Sequence, residues 1–212
     1  NSFGIFLKAI RNKQPLEITY FNLQNNNHLK TKRIFPMMLR EYTNGWITGW
    51  YLLSVEIDGT PKQLNLKLSK IRVIGLDRIT AVKQLDYYPK VIFEEGFNPA
   101  DYFKYTMGIS RDNLVKIVEN KRVVLETISK ESIWIYDYLK KYPFHPTQKI
   151  LEDNREMRYL KFSVQVEENW ELEQFLLKYS TDIRVVNPPS IKSRIEGMLR
   201  DGLSYYSTND SN

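Results

Sequence analysis

Apolar residues repeat with one period over a long early stretch of this chain and with two in its last part, and that change limits the folds open to it. Between residues 15 and 86 they alternate along short runs, as Leu16, Ile18 and Tyr20 do in PLEITYF. Alternation puts such residues on one face of a pleated strand. Similar runs follow in KTKRIFPMMLREY, WITGWYLLSVEI, QLNLKLSKIRVIGL (one or two strands) and DRITAVKQL, with NLQNNNH, TNG and DGTP as loop and turns. Pro36 marks a bulge or an edge. Ahead of them Phe3, Phe6, Leu7 and Ile10 form the stripe of a short helix, capped by Ser2 and ended by Pro15. One helix and roughly five short strands predict a small barrel, which removes sheet edges by closing.

After residue 86 the alternation lapses. Residues 87–112 carry Pro89 and Pro99 and read as a linker with one short helix over 99–107, capped by Asn98. Then KRVVLETI predicts a strand and SKESIWIYDYLKKYP a helix starting at Ser129 or Ser132. TQKILED and MRYLKFSVQVE follow as strands with a turn at Asp153–Asn154, then NWELEQFLLKYS as a helix and TDIRVVN as a strand. PPSIKSRIEGMLRDGL is a last helix, capped by Asn187 with Pro188 at its first position. Strand–helix–strand–strand–helix–strand is the ferredoxin-like order. The expected fold class is therefore α+β, a five-stranded barrel over 1–86, a linker over 87–112, a ferredoxin-like domain over 113–206 and a tail over 207–212.

Charge separates the same regions. Residues 1–86 hold 13 Lys and Arg against 6 Asp and Glu, whereas residues 108–212 hold 16 of each. The net charge of +6 thus belongs to the first region, where it suits anions such as nucleic acid. The chain has no Cys, which excludes disulfides and points to a reducing compartment, the cytoplasm. No run is long and apolar enough for a membrane helix, and the N-terminus lacks the pattern of a signal peptide. His28 and His145 sit at no metal-ligand spacing, and Glu94–Glu95 and Glu167–Glu168 are adjacent pairs unsuited to acid–base work. Phosphate-binding glycine loops and nucleophile elbows are missing. We expect no metal, no cofactor and no enzyme.

In GWYLLSVE, Trp50 and Leu52 share one strand face as packing residues, and Tyr51 points the other way. With Arg33 and Pro36 before it, Arg72 after it, and Leu76–Asp77–Arg78–Ile79 closing the run, this segment resembles the WYL domain, named for that triplet. The C-terminal region, ending in NPPSIKSRIEGML, resembles the WCX extension that often follows it. The resemblance implies an Sm- or SH3-like five-stranded barrel and then a ferredoxin-like domain. It also implies a bacterial transcription regulator acting as a homodimer, with a winged helix-turn-helix DNA reader that this chain lacks. Two departures stand out: that missing reader, and Val73–Ile74 where many members continue with Phe.

Arg33, Arg72 and Arg78 come from different strands, and guanidinium forks suit phosphate. Converging with Tyr51, they would form a site for a phosphate-bearing ligand, single-stranded nucleic acid or a nucleotide. Asp77 is the counter-ion that would instead make Arg78 an ordinary ion pair. A protein-docking or dimerisation module with no small ligand is the alternative function, and a nucleotide enzyme the third.

Overall fold

The stripe at the N-terminus folds as helix α1, Ser2–Arg11, whose buried centre is Phe6 and Ala9. Leu7, expected on the stripe, is half exposed. The helix ends before Pro15 is reached. Lys13 takes a left-handed conformation (φ 52), and Gln14 N–H bonds Ala9 O at 2.9 Å, a bond that reaches back past the usual helical partner and closes the last turn. The computed structural model describes residues 2–22, 28–44, 47–95, 97–111, 122–128 and 133–207. The Ser2 cap, the loop at 23–27, the turn at 45–46, the end of the expected linker at 112 with residues 113–121 after it, the helix start at Ser129 or Ser132 and the tail after Ser207 lie outside what is described. The described residues form two compact units, 2–104 and 105–207.

The first unit is built on β1 (Leu16–Asn22), β2 (His28–Asn44), β3 (Ile47–Glu56), β5 (Ile71–Gly75) and β6 (Ile79–Gln84), in the order β5-β3-β2-β1-β6, all antiparallel. The register of β2 shifts between Pro36 and Met38, which bends this long strand so that one half pairs with β1 and the other with β3. One face packs Leu16, Ile18, Ile34, Leu52 and Ile74 against Phe6 and Ala9 of α1. Trp50 shares that face and meets Phe3 edge-on at 4.8 Å.

The expected barrel is not closed by hydrogen bonds: among the described residues no ladder joins β5 to β6. A 3-10 turn at Leu76–Arg78 carries the chain between them, and its own bond from Ile79 N–H to Leu76 O redirects β6 onto β1. That link spans at most about 14 Å, whereas five flat strands would put the two edges about 19 Å apart. The sheet is therefore strongly curled.

A second departure is β4 (Gln63–Leu66), which joins no strand of the main sheet. It pairs in parallel with β7 (Lys90–Phe93), inside the segment expected to be a linker. The helix expected over 99–107 is a single 3-10 turn, Pro99–Asp101, with Asn98 accepting the Ala100 N–H. Tyr102 and Phe103 follow it, both buried.

The second unit follows the expected order. Strand β8 (Arg122–Thr127), helix α2 (Ile133–Lys141), strands β9 (Lys149–Asn154) and β10 (Tyr159–Gln165), helix α3 (Trp170–Lys178) and strand β11 (Ile183–Asn187) give an antiparallel sheet in the order β11-β8-β10-β9. Asn169 caps α3 through the Leu172 N–H. The final helix α4 runs Pro189–Ser207, starting one residue later than expected after a cis Asn187–Pro188 bond. The core holds Val123, Leu125, Leu160, Phe162, Val164, Leu172, Leu176, Ile183 and Val185. Among the described residues no helix is long and apolar enough to cross a membrane.

Candidate functional site

Residues directly opposite each other on antiparallel strands share a face. Leu52 lies opposite Leu39 and Ile74, on the side covered by α1, so Tyr51 projects from the other side. Its cross-strand neighbours there are Arg40 on β2 and Gly75 on β5.

Both glycines near Tyr51 make room for a neighbour. A Cβ on Gly75 would stand 3.2 Å from Arg78 Nε and 3.5 Å from Nη2 and would collide with the Asp77 carboxylate. The Arg78 side chain therefore folds back over Gly75, beside Tyr51. A Cβ on Gly49 would stand 3.2 Å from the Tyr51 ring, which lies along its own strand over that residue. Tyr42, opposite Gly49, brings a second ring 6.5 Å from Tyr51.

Of the four residues singled out in the sequence, the structure brings Tyr51 and Arg78 together. Arg33 is on the same side of the sheet but level with Ile57, roughly 20 Å from Tyr51 along the strand. There its Nε bonds Glu17 at 3.3 Å and its Nη1 bonds Gly59 O at 3.4 Å. Arg72 lies opposite Ser54 and so projects to the α1 side, where its Nη1 bonds Ile71 O at 2.7 Å and Ser69 O at 3.3 Å. Those two guanidiniums are occupied by the chain itself.

Arg40 is the residue that sequence reasoning missed. Its guanidinium carbon lies 4.4 Å from the centre of the Phe103 ring. Burial pushes its pKa below the ordinary arginine value, against a smaller opposing effect from Tyr42. Among the described residues no carboxylate forms an ion pair with Arg40 or Arg78, and the Tyr51 hydroxyl donates to no group. The pairing of Asp77 with Arg78 that would make the latter an ordinary surface bridge is not formed. Two guanidiniums that form no salt bridge among the described residues, one of them partly desolvated and the other with the Asp77 carboxylate nearby, flank a phenol and a second aromatic ring. Such a face can hold an anion by charge-assisted hydrogen bonds and offer a ring for stacking. No group of three metal-ligating side chains occurs among the described residues.

Residues 121–203 match the family model of the WCX domain, which covers most of the second unit but less than half of the chain. Among solved structures, the chain is similar to proteasome accessory factor B/C (PafBC) of Arthrobacter aurescens, at 18% identity and TM-score 0.32, covering 97% of this chain and 27% of that one. It is also similar to a protein described as CRISPR Cas-related, at 10% identity and TM-score 0.44, covering 98% and 51%. The chain thus spans about a quarter of the first and half of the second. No curated protein matches it.

Proposed function

We propose that this chain is the ligand-sensing and oligomerisation module of a bacterial, cytoplasmic transcription regulator. In this reading the first unit is an Sm- or SH3-like WYL domain, and the second a ferredoxin-like WCX domain that serves homodimer contact. The sheet order β5-β3-β2-β1-β6 with its 3-10 link, and the order β11-β8-β10-β9, support those two assignments. The module is not an enzyme. It binds a phosphate-bearing ligand, single-stranded nucleic acid or a nucleotide, at Tyr51 and Arg78 together with Arg40 and Tyr42. Arg33, farther along the same side of the sheet, and Arg72, on the other side, add to the positive field. Occupancy would change how a DNA reader beyond these residues meets its operator, which requires the ligand to favour one arrangement over another.

One observation carries the proposal: Arg40 on one side of Tyr51, and Arg78 folded back over Gly75 on the other, form no salt bridge among the described residues. The test is a titration of fluorescein-labelled oligo-dT and of ATP, followed by anisotropy at several salt concentrations. Binding that weakens with salt and falls in both Arg78→Ala and Tyr51→Ala supports the reading. Binding unchanged in both variants would move the site elsewhere on the chain, and no binding at all would favour a protein-docking module.

A further inference from the structure

We propose that Phe103 is a positioning residue for this face: its ring holds the Arg40 guanidinium by a cation–π contact and leaves N–H donors for the ligand. The inference rests on the reading above and adds to it the route by which occupancy is felt at the end of the first unit.

Arg40 is partly desolvated and has no carboxylate to fix it, yet it belongs to a long side chain with many rotamers. Something other than an ion pair must hold it, and the ring at 4.4 Å is the group present. A ring takes up one side of a guanidinium, while phosphate and carboxylate are bound by its N–H donors, so one arginine can do both at once. The ring is itself well held. Phe103 is 4% exposed and meets Tyr102, 2% exposed, edge-on at 4.8 Å. Asn98 and Pro99 set the 3-10 turn that delivers both rings.

The place of Phe103 in the chain gives the contact a second consequence. Lys104 is the last residue of the first unit's continuous stretch, and Tyr105 begins the second. Residues 105–111 are bonded into the second unit. Glu167 N–H bonds Tyr105 O at 2.6 Å, and Ser110 donates to Glu171 through N–H (3.0 Å) and Oγ (2.7 Å). Asn169 Nδ2 donates to Met107 O and Ser110 O, and Arg111 pairs with Glu167. A single residue therefore separates the ring under Arg40 from a segment fixed in the other unit. An anion bound to Arg40 would draw the guanidinium and tighten the segment Pro99–Lys104.

The experiment uses the full chain, fluorescein-labelled oligo-dT, and the variants Phe103→Leu, which keeps apolar bulk without a ring, and Phe103→Trp. In the free protein, the Arg40 Hδ and Hε resonances should be shifted upfield by the ring, and that shift should vanish in Phe103→Leu. Oligo-dT should bind up to about tenfold more weakly to Phe103→Leu, because an Arg40 side chain no longer held by the ring must be ordered on binding, with recovery in Phe103→Trp. Amide exchange at residues 100–104 should slow on binding in the wild type but not in Phe103→Leu. Unshifted Arg40 resonances, or equal binding by wild type and a folded Phe103→Leu, would overturn the inference. Loss of binding in Arg78→Ala is read separately and bears only on the site.

Discussion

Replacing Gly75 with Ala should damage binding while leaving the fold nearly intact. The added methyl group would come within 3.2 Å of Arg78 Nε and would overlap the Asp77 carboxylate. Both obstacles are the ends of flexible side chains, and the backbone of Gly75 does not require a glycine conformation. The side chains can swing aside, so stability should change by less than about 1 kcal/mol, the usual range for a substitution that opens no cavity and buries no charge. Swinging aside removes the Arg78 guanidinium from its place beside Tyr51. One charge-assisted hydrogen bond to a ligand contributes about 1.5–3 kcal/mol, so affinity should fall roughly 10- to 150-fold. Gly4→Ala is the control, because a Cβ there meets nothing within 4 Å. It should leave affinity unchanged and raise stability by about 0.5–1 kcal/mol, as expected for Gly→Ala inside a helix. Denaturant melts and oligo-dT anisotropy on the same preparations separate the two quantities. A Gly75→Ala protein that melts like wild type and binds within twofold of it would refute the placement of Arg78.

Leu52→Ala should cost about 2–5 kcal/mol in a urea melt, since Leu52 is fully buried between the sheet and α1; a loss under 1 kcal/mol would contradict that packing. Glu167→Gln should cost about 3–5 kcal/mol, because it leaves the buried Arg111 charge without the carboxylate that holds it at 2.7 Å. Near-neutral behaviour of that variant would show the pair to be solvated. Stability should also fall at both ends of the pH scale through one cluster on β8, β10 and β11. Burial pushes the Glu126 pKa up, but hydrogen bonds from Tyr159 and Arg184 outweigh it and hold the pKa below 4.5. Its contribution is present above the unfolded value and lost as the pH drops through the folded one. Burial, then the bond to Glu126, raises the Tyr159 pKa to about 12, so that contribution is lost as the pH rises from 10 towards 12. Melting temperatures across pH should show both limbs flattened in Glu126→Gln, and an unchanged profile would remove the cluster from the account.

The parity of Trp50, Tyr51 and Leu52 was legible because alternation is a property of any strand, whatever it pairs with. The order of elements in the second unit was legible for a similar reason: each of its strands and helices carries its own period. Pairing over distance was not. Strand β4 is short, and nothing local in QLNL says that it will leave the main sheet to meet KVIF far along the chain. The lack of a ladder between β5 and β6 among the described residues likewise depends on the 3-10 turn Leu76–Arg78, which the alternation of the runs on either side does not foretell. At the site, listing arginines found Arg78 but also Arg33 and Arg72, because residue type does not reveal which face or which end of a strand a side chain occupies. Arg40 carried a usable signal. The hairpin pairs Asn44 with Ile47, and counting outward from that pair sets Arg40 opposite Tyr51. Its contact with Phe103 could not be found that way, since Phe103 reaches it through a segment with no period.

The most direct measurement is a nitrogen-15 NMR titration of the arginine Nε resonances with oligo-dT. The account predicts that Arg40 and Arg78 shift together, with one midpoint, while Arg33 and Arg72 stay where they are. Movement of Arg33 or Arg72 with Arg40 and Arg78 unmoved would contradict it.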